Sequence, residues 1–350
     1  MTARTTLSID AMGGDEGPAM VVEGVAMAAA KRSDTDFLLF GKKAQIVSLL
    51  DKFPDAAAVC TVRHAEDVVL NDDKPAVALR GRRGSSMRMA IDSVKDGEAA
   101  AVISAGNTGA LMAMAKFVLK TLPGIDRPAI ATFFPTQRSE SVMLDLGANI
   151  ECDANHLVQF AVMGEVFARN VLGLKEPSVG ILNVGVEDLK GNSAVKEAAA
   201  VLQDTHLPIK FHGFVEGDDI GAGTVDVIVT DGFTGNVALK TAEGTAKFFS
   251  QALRDVLTSS SRASLGALIA KPALNQLKIK LDPRRYNGAM FLGLNGICIK
   301  SHGGTDAFGF AHAIEVGYDL IANSINDSIK QDFSQLQADM LSNKQSIAGQ

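Results

Sequence analysis

The chain has 350 residues, 47% of them hydrophobic and 21% charged, with 40 acidic against 34 basic side chains for a net charge of −6. That balance excludes a disordered chain, and an acidic excess with no Trp and two Tyr argues against nucleic acid as the bulk partner. Gly fills 33 positions, about nine per cent against a usual roughly seven, so glycine-rich turns are expected.

Cys60, Cys152 and Cys298 are odd in number, far apart and free of CxxC spacing, which fits a reducing cytosol better than disulfides or zinc. The six histidines show no HExxH or other close metal spacing, so no metal is expected. The opening MTARTTLSIDAMGG lacks the apolar core of a signal peptide, and no run reaches eighteen apolar residues. A soluble cytoplasmic protein is expected, with attachment to a membrane surface left open.

Short apolar runs bounded by glycine alternate with longer helical patterns, the mark of βαβ units and a mainly parallel sheet. Residues 7–10 read as a strand ending in DAMGGD, after which Pro18 opens a helix. Residues 37–40 repeat the strand pattern. ALRGRRGSSMRMA then gathers Arg80, Arg82, Arg83 and Arg88 with no acid between them, either a steering patch for an acidic protein or a solvated helix approach.

A buried strand over 100–104 leads into SAGNTGA, the most legible turn. Its glycines let the backbone wrap an anion, and Asn107 or Thr108 can cap the next helix, whose dipole favours phosphate. An ordinary N-capped connection reads equally well. Strands follow at 129–134 and 141–146, the second ending in DLGAN, and a helix at 153–172.

A strand at 179–183 opens NVGVEDLKG, where Lys190 can bind phosphate or neutralise an oxyanion beside Glu187, or can be a solvated charge. A helix over 193–203 and a strand over 225–230 lead to DGFTGN. Asp231 there, like Asp10, ends a strand where ligands gather, or simply caps a helix. The five glycine turns DAMGGD, SAGNTGA, DLGAN, NVGVEDLKG and DGFTGN are expected to assemble one site. There is no GxGxxG after a strand and no P-loop.

A helix is expected over 236–257, and the segment 248–285 breaks the alternation. Leu253 and Leu257 continue a stripe begun at Phe248; Leu265, Leu268 and Ile269 form another after the loop TSSSRAS, with Leu281 adding apolar surface. Seven bases against two acids give the segment +5, which invites a membrane surface or an acidic partner, or a hairpin packed in a homodimer. A strand over 289–294, His302 in IKSHGG, and a helix over 307–329 complete the pattern. The His302 imidazole can donate to a reacting oxygen or merely bond the backbone. No linker divides the chain, so residues 1–334 read as one α/β domain carrying the excursion at 248–285, with a polar tail at 335–350.

The ordered series IDAMGGD, SSMRMAIDSVKDGEAAAVISAGNTGALMA, LDLGAN, NVGVEDLKGN, DGFTGNVALKTAEG and MFLGLNGICIKSHGGTDAFGFAHAI closely resembles the bacterial phosphate acyltransferase family (PlsX). The resemblance spans roughly residues 7–329. It implies transfer of a long-chain acyl group from acyl carrier protein to inorganic phosphate, giving acyl phosphate for acylation of glycerol 3-phosphate in phospholipid synthesis. It also implies a homodimer with a Rossmann-like α/β/α sandwich related to phosphotransacetylases and to isocitrate and isopropylmalate dehydrogenases. The enzyme would use no cofactor and work at the inner face of the membrane, beside the integral glycerol-3-phosphate acyltransferase that consumes its product.

Phosphate is already an anionic nucleophile, so attack on a thioester needs no covalent enzyme intermediate, only a cradle and a donor for the developing oxyanion. The cradle falls to Gly106, Asn107, Thr108 and Gly109, with Asp10, Gly13 and Gly14 shaping the wall. The family's lysine before glycine matches Lys190, which takes the electrophilic or phosphate-neutralising role, with His302 and Asn149 in support. Arg80, Arg82, Arg83, Lys271 and Lys278 become docking candidates for the acidic carrier, and the tip at Leu253, Leu257, Leu265, Leu268 and Ile269 a membrane contact. The rivals are a short-chain phosphotransacetylase using acyl coenzyme A, a nicotinamide-dependent decarboxylating dehydrogenase and a non-catalytic membrane scaffold.

Overall fold

Apolar runs that end in glycine or polar turns become strands. The computed structural model describes residues 4–204, 209–280 and 282–335. Its strands are β1 (Thr5–Asp10), β2 (Thr35–Gly41), β3 (Cys60–His64), β4 (Ala101–Ser104), β5 (Ala129–Pro135), β6 (Glu140–Leu144), β7 (Ser178–Leu182), β8 (Lys210–Val215), β9 (Val227–Val229), β10 (Ala289–Leu292) and β11 (Ile297–Lys300). The helices are α1 (Pro18–Lys31), α2 (Lys43–Leu50), α3 (Pro54–Ala57), α4 (Pro75–Gly81), α5 (Ser86–Lys95), α6 (Thr108–Leu119), α7 (Ala154–Val171), α8 (Ser193–Gln203), α9 (Gly217–Ala222), α10 (Gly232–Thr258), α11 (Ser261–Lys280) and α12 (Ala307–Ala322).

All eleven strands join one sheet in the order β3-β2-β1-β4-β11-β10-β5-β6-β9-β7-β8. Central strands such as AVIS of β4 are buried on both sides, as a strand with helices on each face must be. One apolar cluster packs α1, α7, α8 and α12 on one face, and the other packs α5 and α6 on the opposite face, giving an α/β/α sandwich. Most pairings are parallel. Three are antiparallel, β11 with β10, β10 with β5 and β5 with β6, and an odd number of reversals makes the two halves of the sheet run in opposite senses.

That reversal positions the site. The turns after β1 and β4 leave one margin of the sheet, whereas those after β6, β7 and β9 leave the other. Helix α10 starts from the second group, at its Asp231 cap, and runs about 40 Å at roughly 1.5 Å per residue.

Several expected boundaries shift for local reasons. The helix expected over 307–329 breaks after Ala322, where Ser324 adopts φ 49°, and resumes over 325–335. β10 stops at Leu292 because Gly293 turns with φ 90° and packs against Met163. Edge strand β3 and strands β8 and β11 carry too few alternating positions to stand out, whereas α5, absent from the expected elements, is marked by its Ser85 cap and by Met87, Ala90, Ile91 and Val94 at helical spacing. The expected loop TSSSRAS shrinks to a turn at 259–260, and α11 begins at Ser261. Leu281 and residues 336–350 of the expected tail lie outside the described residues.

Helices α10 and α11 form a hairpin that stands away from the sheet. Beyond Gly235 no α10 side chain is buried, and α11 has no buried residue. Among the described residues, no helix is long and apolar enough to cross a membrane.

Candidate active site

Asp10, Ser104 and Lys300 end three adjacent strands at one level and point to the face covered by α5 and α6. Ser104 pairs with Lys300, and Ile9 with Ile103, so Asp10 stands level with Ser104 on its other side. The Asp10 carboxylate is buried. Its Oδ1 accepts from Ser86 Oγ at 2.6 Å and from the Met12 N–H at 3.3 Å, and its Oδ2 accepts from Ser104 Oγ at 2.7 Å. Burial raises its pKa, against the pull of those bonds and of Lys300. Ser104 Oγ in turn accepts from the Gly106 N–H at 3.1 Å.

This network pins the DAMGGD and SAGNTGA turns together. A Cβ on Gly13 would lie 2.6 Å from the Gly106 nitrogen, so only glycine permits the approach. Gly14, at φ 94°, packs against Ala105 and the Gly303 carbonyl, bringing KSHGG into the same cluster.

Asn107 is occupied twice over. Its Oδ1 caps α6 through the Ala110 N–H at 3.0 Å, and its Nδ2 donates to the carbonyls of Leu70, Asn71 and Asp73. The side chain expected to touch phosphate therefore fastens the 70–73 loop instead. Exposed Thr108 and Gly109 present the orphan N–H groups of the first helical turn, where an anion is favoured.

His302 lies in the turn after β11, at the sheet margin where β1 and β4 also end. Its backbone N–H donates to Asn287 Oδ1 at 2.8 Å, while its Nδ1 accepts from the Gly304 N–H at 3.1 Å. Neutral His302 must then carry its proton on Nε2, free to donate outward. Although the residue is exposed, partial burial of the ring, then the nearby Lys240 ammonium, lowers its pKa and so favours the neutral form. Lys240 forms an ion pair with Glu243 at 2.8 Å on α10.

The other expected residues lie across the sheet. Asp145 Oδ1 accepts from the Ile130 and Ala148 N–H groups, and its Oδ2 from the Asn149 N–H at 2.6 Å and Nδ2 at 3.0 Å. Asn149 also donates from Nδ2 to the Pro128 carbonyl at 2.8 Å, so this amide braces the turn and has no hydrogen left for substrate. Asp231 caps α10, accepting from the Thr234 N–H at 2.8 Å and Oγ1 at 2.7 Å. Gly232 and Gly235 let α10 start against the Asn149 and Asp145 backbone.

Lys190 is exposed in the turn after β7. Its N–H donates to the Glu187 carbonyl at 2.9 Å, with no ion pair joining the two side chains. β4 and β7 are six strand spacings apart, about 29 Å at roughly 4.8 Å each. The five turns thus form two groups, not one, because the reversal sends them to opposite margins. α10 spans between the groups and carries Lys240 close enough to act electrostatically on His302 and Lys300.

Sequence reasoning missed Ser86, Ser104, Asn287 and Lys300. Ser104 and Lys300 were legible only as polar ends to apolar runs, and their pairing needed the register. Thiol chemistry is disfavoured, since burial pushes Cys60 and Cys152 up to about 12 and Cys298 higher still. The basic patch is also reduced. Arg82 meets Asp73 at 3.4 Å and Arg88 meets Asp92 at 3.0 Å, leaving Arg80 and Arg83 exposed. On α11, Lys271 and Lys278 are exposed, as are Leu265, Leu268 and Ile269; Leu253 of α10 is exposed and Leu257 half-buried.

A family model described as "Fatty acid synthesis protein" matches residues 5–328. The chain is 59% identical over 349 residues to a phosphate acyltransferase of Paramagnetospirillum magneticum, covering 100% of this chain and 99% of that one. It is 61% identical to a phosphate acyltransferase of Rhodospirillum centenum, covering 97% and 95%. Among solved structures, a phosphotransacetylase from Streptococcus pyogenes is similar with a TM-score of 0.60 at 16% identity, covering 92% of this chain and 95% of that one. A 4-hydroxythreonine-4-phosphate dehydrogenase from Klebsiella pneumoniae gives 0.51 at 14% identity, covering 92% and 98%. These two likenesses concern the fold.

Proposed function

The chain belongs to the fatty acid synthesis protein family and is an acyltransferase of the phosphate acyltransferase kind, and we propose that it moves a long-chain acyl group from acyl carrier protein to inorganic phosphate. The observation that carries this reading is that an open helix start at Thr108 and Gly109 and a neutral His302 fixed as an Nε2–H donor follow adjacent parallel strands, β4 and β11, at one margin of the sheet. The first suits a phosphate nucleophile. The second suits the carbonyl oxygen that becomes an oxyanion.

Phosphate oxygen attacks the thioester carbon, the C–S bond breaks, and the thiolate leaves with a proton from solvent or from a neighbouring acid. No side chain need become acylated. Asp10, Asn107, Asn149 and Asp231 position the turns, while Gly13, Gly14 and Gly106 allow their close approach. Lys190, with Glu187 in the same turn, lies on the opposite group of turns and does not reach a phosphate held at Thr108 and Gly109. Residues 1–334 act as one unit.

The exposed apolar residues of the α10–α11 hairpin support contact with a second copy of the chain, with a membrane surface, or with both, at the cytoplasmic face. That placement delivers acyl phosphate to an integral glycerol-3-phosphate acyltransferase. Exposed Arg80, Arg83, Lys271 and Lys278 are available to an acidic carrier. The test is to mix purified protein, palmitoyl acyl carrier protein and phosphate and trap acyl phosphate as its hydroxamate. Equal or better turnover with acyl coenzyme A would transfer the assignment to a phosphotransacetylase.

A further inference from the structure

Lys300 ends core strand β11, is 9% exposed, and its Nζ donates to the Ala105 carbonyl at 3.4 Å and to the Ser301 carbonyl. No ion pair engages it among the described residues. A buried ammonium satisfied by carbonyl oxygens alone retains uncompensated charge, and buried charges are ordinarily paired. The charged groups that act on it come from three elements: Asp15 from the DAMGGD turn, Asp10 from β1 and Lys240 from α10; Cys298 on its own strand is a neutral thiol. Burial lowers its pKa to about 8, with Asp15 and Asp10 opposing that shift.

The neighbouring carboxylates are already committed to other donors. Asp10 is already engaged by three donors, and Asp15 accepts from Asn71 Nδ2 at 2.9 Å. Ala105, whose carbonyl Lys300 reaches, lies two positions before the α6 cap, so the ammonium abuts the loop that presents the first-turn N–H groups of α6. Cationic charge beside a short loop of open amides suits an anion. A structural strut would not require a charge at this depth.

We infer that Lys300 is the cation that binds the phosphate reactant at the SAGNTGA loop. This rests on the transfer reading above and gives its phosphate site a charged ligand that Lys190, on the other group of turns, cannot provide from its present position. The class of ligand is a phosphate-sized oxyanion, held by Lys300 together with the Thr108 and Gly109 amides.

Calorimetric titration of inorganic phosphate, without acyl donor, tests this on the full chain and on two variants. Lys300→Met removes the charge and every donor. Lys300→Gln removes the charge while keeping an N–H to offer Ala105 and Ser301. Both are expected to bind phosphate at least about tenfold more weakly, the scale of one lost charge-assisted hydrogen bond, with an unfolding midpoint equal to or above the parent's. Phosphate affinity within about twofold of the parent in whichever variant folds would overturn the inference and leave Lys300 a strut. Phosphate binding by the parent with Lys300-dependent affinity but no hydroxamate product would uphold the anion site and sink the transfer reading alone.

Discussion

The Gly304 N–H donates to Nδ1 of His302, and this single bond decides which ring nitrogen of His302 can act as a donor. A protonated ring would have to break it. Because burial and then Lys240 lower the His302 pKa, the neutral donor form persists through the ordinary value of 6.5 to more acidic pH. If Nε2–H supports the oxyanion, kcat/KM for palmitoyl acyl carrier protein stays level as pH falls from 8 through 6.5 and declines only below. His302→Ala should lower kcat by about 10²-fold or more, the usual loss of an oxyanion donor. A decline centred at or above 6.5 would show that the environment does not protect the neutral ring.

Gly13→Ala places a methyl against the Gly106 nitrogen at 2.6 Å, backbone against backbone, so neither side can swing away. The DAMGGD and SAGNTGA turns must part, at a cost of about 1–3 kcal/mol in stability, with a higher KM for phosphate. Chemical denaturation and initial-rate kinetics read both. An unchanged midpoint with unchanged KM would mean that the contact relaxes freely.

Lys190→Ala tests whether the second group of turns takes part at all. Its distance from the SAGNTGA loop predicts a phosphate KM and a kcat both within about threefold of the parent, because the transition state forms on the same bound phosphate. A kcat lowered by about 10²-fold would return Lys190 to the mechanism and overturn the placement of phosphate at the SAGNTGA loop.

Leu268 is 64% exposed on α11, a helix with no buried residue. Leu268→Glu is expected to reduce co-sedimentation with anionic liposomes by about tenfold while sparing turnover of soluble substrate. Equal sedimentation of parent and variant would remove the hairpin from membrane contact.

Much of the architecture was legible in single residues. The 193–203 helix matches α8 at both ends because Asn192 caps it, accepting from the Val195 N–H at 2.9 Å. Asp10 and Asp231 showed as strand-end acids, and Asp231 proved to be a cap. What stayed hidden depends on pairing across the sheet. Nothing local in ATFFP or AMFL signals that β5 and β10 lie antiparallel, yet that reversal divides the glycine turns into two groups. Lys300 was hidden for a similar reason: ICIK reads as a strand running into solvent until β4 is laid beside it.

The hairpin also redistributes charge. With +5 on residues 248–285 and −6 on the whole, the remaining chain carries −11, so the molecule has an electrostatic polarity along the direction in which α10 leaves the sheet. Near an anionic surface within a Debye length of roughly 8 Å at physiological salt, that polarity exerts a torque, turning the hairpin inward and pushing the acidic body away. Orientation would then precede any insertion of apolar side chains, and raising ionic strength would slow arrival at the surface more than it weakens attachment once made.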